Sequence, residues 1–258
     1  MKLTSTPLLF LAVATIAVAS ITIPYATVDA LTSQVSDSNI SLVLSNARAA
    51  FTTQTSPTQI TLDGQVRSIE GSLAEDGTAH LVAHLDGTYD IDLDLNGGPR
   101  TERQITEQGN LSCTWSRNDQ EVHQAPVHNC MTRSAWFLPM LSFFGNSQSV
   151  VYSVLGSTER DSQSGIVLRQ QADTTNIKQP DLFAHLSAFD LVISSQSYLP
   201  LAADYSIHPD DAANIDIPVE ITYSDYQQVS GVSIPFHIQR FVNGTLSLDI
   251  NIQTASIQ

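Results

Sequence analysis

The sequence predicts a mainly β protein of about eleven antiparallel strands with two short helices, and three observations carry that expectation. The first is the strict alternation at the end of the chain. Ile217, Val219, Ile221 and Tyr223 alternate with Glu220, Thr222 and Ser224; Val232, Ile234, Phe236 and Ile238 alternate with Ser233, Pro235, His237 and Gln239; Leu246, Leu248, Ile250 and Ile252 alternate with Ser247, Asp249, Asn251 and Gln253. One apolar and one polar face per strand calls for an antiparallel meander, because a strand buried on both faces, as in a parallel sheet, does not alternate. The second is turn chemistry between the apolar runs, at Asp86-Gly87, Asn96-Gly97-Gly98, Ser230-Gly231 and Asn243-Gly244. The third is a single break in this rhythm, between Thr132 and Phe144.

Taken in order, the elements begin with an amphipathic helix from Asn39 to Phe51. Ile40, Val43, Leu44, Ala47 and Phe51 recur at helical spacing there, with Ser38 as the expected N-cap and Gln54 to Pro57 ending it. Ile60, Leu62 and Val66 mark a first strand, and Glu75-Asp76-Gly77 reads as a turn. Leu81 to Leu85, Tyr89 to Leu95, Arg100 to Ile105, Leu111 to Ser116 and Glu121 to Val127 follow as strands, the last two around Asn118-Asp119. Trp136, Phe137, Leu138, Met140, Leu141, Phe143 and Phe144 then form a short aromatic helical stretch, with Pro139 kinking or shortening it. Strands resume at Val150–Leu155 and Gly165–Arg169, with a helical turn at Asp181–His185. Phe189–Ser194 and Leu199–Ile207 lead into the closing meander.

The pattern also predicts a register. Pairing Leu246, Leu248 and Ile250 with Arg240, Ile238 and Phe236 keeps the apolar sets on one face and leaves Val242-Asn243-Gly244 as a three-residue loop. A two-residue Asn-Gly turn would place Ile238 opposite Asp249. At the preceding hairpin, turns at Ser230-Gly231 and at Gln227-Gln228 preserve the same facing.

Residues 1–30 have the form of an export signal. Lys2 precedes an apolar run from Leu8 to Ile23, and Val28-Asp29-Ala30 supplies small residues for cleavage after Ala30. An uncleaved anchor helix is the alternative, since the run falls just short of the roughly 18–20 residues that span a bilayer. Residues 31–258 then form one β domain outside the cytoplasm, periplasmic or secreted. Net charge is −15, from 26 acids against 11 lysines and arginines, so nucleic acid and anionic lipid surfaces are excluded as partners. A charged fraction of 14% against 42% apolar leaves material for a sizeable core.

The ending Asp225-Tyr226-Gln227-Gln228-Val229-Ser230-Gly231-Val232-Ser233-Ile234-Pro235-Phe236, followed by Asn243-Gly244 and a last alternating strand, resembles the outer-membrane lipoprotein carrier (LolA/LolB-like) superfamily. The block from Trp115 to Trp136, with His128-Asn129-Cys130, is similar to a subgroup of exported bacterial proteins without an assigned activity. The resemblance implies a half-open antiparallel β-barrel, an N-terminal helix, and a short aromatic internal helix in or over its mouth. It also implies a concave apolar face that binds acyl chains; burying a tail there gains about 0.8 kcal/mol per methylene. On that basis the ligand-binding residues are expected to be Trp136, Phe137, Met140, Leu141, Phe144, Ile234, Phe236 and Ile238. For any one of these residues, ordinary core is the favoured reading, since large apolar side chains are usually just buried.

Cys113 and Cys130 are the only cysteines, and an even count in an exported chain predicts a disulfide. A metal site made with His123 and His128 would have the order Cys-x9-His-x4-His-x-Cys, which fits no standard zinc spacing, so no metal or cofactor is expected. Asp90, Asp92 and Asp94 share a strand face and read as a solvated surface neutralised in part by Arg100 and Arg103. His80, His84 and His237 fall at surface positions, and His208-Pro209-Asp210-Asp211 is a polar loop explained by turn chemistry. There is no nucleophile elbow, His-Glu-x-x-His or glycine-rich phosphate loop. The expected function is therefore non-catalytic binding of a lipid or lipoprotein acyl chain. An envelope scaffold with a filled barrel is the alternative, and a hydrolase assembled in space the third.

Overall fold

The computed structural model describes residues 37–53, 57–107, 110–118, 121–130, 135–141 and 150–258. The export-signal expectation and the assignments to Phe143 and Phe144 lie outside these residues. Thirteen strands, rather than eleven, pair in one antiparallel sheet: β1 Gln59–Glu70, β2 Leu73–His84, β3 Tyr89–Leu95, β4 Gly98–Glu107, β5 Asn110–Arg117, β6 His123–Gln124, β7 Val150–Arg160, β8 Gln163–Ala172, β9 Phe189–Ser194, β10 Pro200–Ile207, β11 Ile217–Val229, β12 Val232–Val242 and β13 Thr245–Ile257. The helices are α1 Asp37–Phe51, α2 Val127–Cys130 and α3 Pro180–Leu186.

The order across the sheet is β6-β5-β4-β3-β2-β1-β13-β12-β11-β10-β9-β8-β7. Two meanders, β1–β6 and β7–β13, are thus joined side by side through β1 and β13, leaving β6 and β7 as opposite edges. This is the half-open barrel expected from the sequence. The connection between β6 and β7 carries the aromatic residues, and its described segment, 135–141, belongs to the core. The sheet's inner face, α1 and this connection form one core cluster, including Ile60, Leu62, Leu81, Ile91, Leu168, Leu191, Ile221, Ile234 and Ile250.

The Asn243-Gly244 hairpin corrects the expected register. Val242 pairs with Thr245 across a two-residue turn, with Asn243 at φ 51° and Gly244 at φ 72°. A bulge then follows, so that Arg240 faces Leu248 and Ile238 faces Ile250. Both turn residues in the left-handed region match the right-handed twist of the strands. The extra residue, Ser247, restores the facing that an Asn-Gly turn alone would have lost; its hydroxyl donates to the Arg240 carbonyl at 3.0 Å. Ser230-Gly231 is a turn of the same kind, φ 48° and 79°, joining Val229 to Val232.

Four further expectations change. The first hairpin turns at Gly71-Ser72, because Glu70 pairs with Leu73 and β2 runs straight through Glu75-Asp76-Gly77. Gly77 is needed for close approach instead: a Cβ there would run into the Asp94 carbonyl. The segment Glu121 to Val127 is not one strand, since only His123–Gln124 pairs and Val127 starts α2. Helix α1 begins at Asp37, so Ser38 lies within it and is not its N-cap. Pro139 is the first helical residue of its stretch and not a kink, a position where its missing N–H costs nothing.

Candidate functional site

The aromatic stretch forms the centre of the core. Trp136, Phe137, Leu138, Met140 and Leu141 are all at most 3% exposed. Phe137 meets Tyr89 edge-on at 6.0 Å and Trp136 at 5.7 Å. The Arg240 guanidinium lies 5.2 Å from the Trp136 ring, and the Tyr223 hydroxyl donates to the Trp136 carbonyl. Burial pushes the Tyr223 phenol well up, so it stays a neutral donor. Ile234 and Ile238 are fully buried and Phe236 partly so. These residues belong to one core cluster, packed against one another.

The remaining apolar space lies beside this plug. A cleft of about 380 Å³ opens between α1 and the sheet, lined by Leu44, Ala47, Met140 and Ile193, with Ser41, Ser45, Arg48 and Tyr152 around them. Of the eight expected ligand-binding residues, Met140 alone borders it among the described residues. Helix α1 forms one wall because Val43, Ala47 and Phe51 face the core, while Leu42 faces solvent at 56% exposure. Its last turn is tied down: the Ser233 hydroxyl donates to the Ala50 carbonyl at 2.6 Å, and the Thr53 N–H to the Gly231 carbonyl at 3.1 Å. Burial raises the Tyr152 phenol pKa, and the nearby Arg48 charge partly offsets it. The cleft therefore combines four apolar side chains with three hydroxyls and a guanidinium in its lining. Sequence reasoning found the α1 stripe but missed Ser41, Ser45 and Arg48, which recur at i, i+4 and i+7 alongside it.

Two ionic regions flank this interior. Arg100, Glu70, Glu75 and Arg117 form a network, Arg100 bonding both glutamates and the Ser68 hydroxyl; Arg240 pairs with Glu102 at 3.2 Å. The expected Arg100 neutralisation of the aspartate strand therefore does not occur. Arg103 alone does it, reaching Asp90 at 3.0 Å and Asp92 at 2.7 Å. Positions 100 and 103 are an odd number apart, so in a strand they face opposite ways. A cleft of about 620 Å³ runs past Arg169, Asp190, Asp204 and Glu220. Arg169 clamps Asp190 through two 2.7 Å bonds, and Arg160 pairs with Asp204 and Glu220. Burial raises the pKa values of Asp204 and Glu220 against the lowering effect of Arg160. Its polar, internally paired lining does not suit an apolar guest.

The His128-Asn129-Cys130 block works as a clasp. Cys130 is bonded to Cys113, with Cα atoms 5.7 Å apart, which ties α2 to β5. Asn129 is buried and holds the backbone of His208 at both ends, its amide donating to the carbonyl at 2.8 Å and its oxygen accepting from the N–H at 2.9 Å. Because β5 belongs to one meander and His208 follows β10 of the other, these contacts close the half-open barrel on itself. No helix among the described residues is long and apolar enough to cross a membrane.

No protein-family model matches the chain, and no curated protein sequence does. Solved structures do. A domain described as an outer membrane lipoprotein-sorting protein from Vibrio parahaemolyticus aligns with a TM-score of 0.54 at 11% identity, covering 84% of this chain and 91% of its own. A DUF1329 family protein from Desulfovibrio piger aligns at 0.51 and 10%, covering 84% and 90%. A LolA superfamily protein from Nitrosomonas europaea aligns at 0.48 and 7%, too low a likeness to carry an argument. At such identities the shared property is the fold.

Proposed function

We propose that this protein binds an apolar or amphipathic molecule, a lipid or a lipoprotein acyl chain, in the cleft between α1 and the sheet. The observation that carries the reading is an opening of about 380 Å³ between α1 and the sheet with a mainly apolar lining. Specific ligand sites are clefts of roughly 300–1,000 Å³ with few polar groups, and this one lies at the small end, enough for part of an acyl chain. Met140 suits such a wall, since its flexible thioether adapts to guests of different shape. Arg48 and Tyr152 would hold the polar head, a carboxylate or phosphate. The fold is shared with a domain described as lipoprotein-sorting, and the Cys113–Cys130 bond accords with an oxidising envelope compartment. No step of the reading requires catalysis.

The filled centre of the barrel favours a second reading, an envelope scaffold in which the cleft takes no guest. A fluorescent fatty acid separates the two. Under the binding reading it saturates on the protein at one equivalent, and Ser45→Trp, which sets an indole over the cleft from a partly solvated helix position, weakens it at least about tenfold, the scale of one well-packed contact. Unchanged affinity in that variant, or no saturable binding by the wild type, would favour the scaffold.

A further inference from the structure

The connection between β10 and β11 begins with His208 and ends with Asp216, the first positions beyond the paired Ile207 and Ile217. His185, in the last turn of α3, reaches the same point. Its Nε2 lies 2.9 Å from Asp216 Oδ1, and His208 Nδ1 lies 3.4 Å from that oxygen. One ligating atom from each of these three residues falls within 4.8 Å of the other two. The His208 side chain is 1% exposed. Its Nδ1 is 3.1 Å from the Ile215 carbonyl. A carbonyl only accepts, so the ring proton belongs on Nδ1 and the lone pair on Nε2. That Nε2 is buried and has no hydrogen-bond partner among the described residues, and neither does His128 Nε2. The His128 ring stands 6.0 Å from the His208 ring, and the His185 ring 5.6 Å from it.

We propose that His185, His208 and Asp216 bind a divalent transition-metal ion of the zinc class, with His128 as the fourth donor. A buried imidazole nitrogen with a bare lone pair costs free energy that a cation would recover. A histidine whose second nitrogen is fixed by a backbone carbonyl is the usual form of a metal-binding imidazole. Imidazole and carboxylate together suit zinc and its neighbours rather than calcium or magnesium. Donors around one zinc at 2.0–2.1 Å stand roughly 3.3 Å apart. His208 would ligate through Nε2, so half-exposed His185 and Asp216, which meet on its Nδ1 side, would rotate toward Nε2 to reach that spacing. The ion would join α3 to the β10–β11 connection and α2, the last two of which the Asn129 clasp already brings together. It would act as a structural staple at the seam of the barrel, independent of the proposed lipid cleft.

The test uses the full chain, stripped with a chelator and titrated with zinc alone or with cobalt as a spectroscopic probe. One equivalent binds, cobalt gives the absorption of a nitrogen- and oxygen-ligated site, and the thermal midpoint rises with free zinc. His185→Gln and Asp216→Asn each weaken binding at least about tenfold, with the metal-free midpoint unchanged because both side chains are half-exposed. His80→Gln, at the separate surface pair with Asp63, leaves affinity unchanged. Absence of one-equivalent binding, equal affinity in the His185 and Asp216 variants, or loss in the His80 variant would overturn the assignment.

Discussion

Trp136→Ala is expected to cost about 4 kcal/mol, the range for emptying a large aromatic from a closed core. The side chain is 1% exposed, packs edge-on against Phe137 and is covered by Arg240. Phe137 and Leu138 beside it are themselves fully buried, which limits collapse into the space. The check is the urea unfolding midpoint, with a slope unchanged from wild type so that the difference reads as stability. Trp136→Phe keeps most of the ring and should lose less than half as much. A movable lid would behave differently: its removal would leave global stability nearly intact and change only ligand affinity. The unfolding midpoint would thus test by energetics the core assignment that burial already gives.

The second large effect is expected at the clasp. Cys113→Ser with Cys130→Ser should destabilise by about 3 kcal/mol, the chain-entropy value for a loop of this length, given a sequence separation of 17. Reducing the wild-type disulfide should reproduce the shift. Asn129→Ala leaves the N–H and carbonyl of buried His208 without their partner, a loss of roughly 2 kcal/mol. The two changes should not add. Once α2 is released from β5, the Asn129 bonds are easier to lose, so a double-mutant cycle should give a coupling of about 1 kcal/mol. Full additivity would mean that the disulfide and Asn129 do not act as one closure.

The closing meander was legible because one face of each strand is buried there, and period-two alternation records burial directly. Where that contrast fails, the reading fails with it. The first half of β2, from Leu73 to Gly77, is mainly exposed, so nothing in its pattern distinguished a continuing strand from the turn-like composition of Glu75-Asp76-Gly77. The Asn243-Gly244 register failed for a different reason: a bulge adds one residue, and alternation alone cannot distinguish a three-residue loop from a two-residue turn plus a bulge. The aromatic stretch was found by composition, but whether it plugs or covers depended on the route from β6 to β7, which is set by the pairing of β1 with β13. The cleft lining draws on α1, β7, β9 and Met140, distant in sequence and joined only by the curvature of the sheet. The histidine cluster was missed because His208 and Asp216 meet only through the register of β10 with β11. Once that hairpin is paired, their meeting follows.

The central claim is that the space beside α1 receives an apolar chain. The most direct measurement is a crystal structure grown with a bromine-labelled fatty acid, reading the anomalous signal of the label. The account predicts one peak between α1 and the sheet, among Leu44, Met140 and Ile193, with the carboxylate toward Arg48 or Tyr152. A fully occupied peak in the ionic groove past Arg169 and Asp190, or no peak at a saturating concentration, would contradict it.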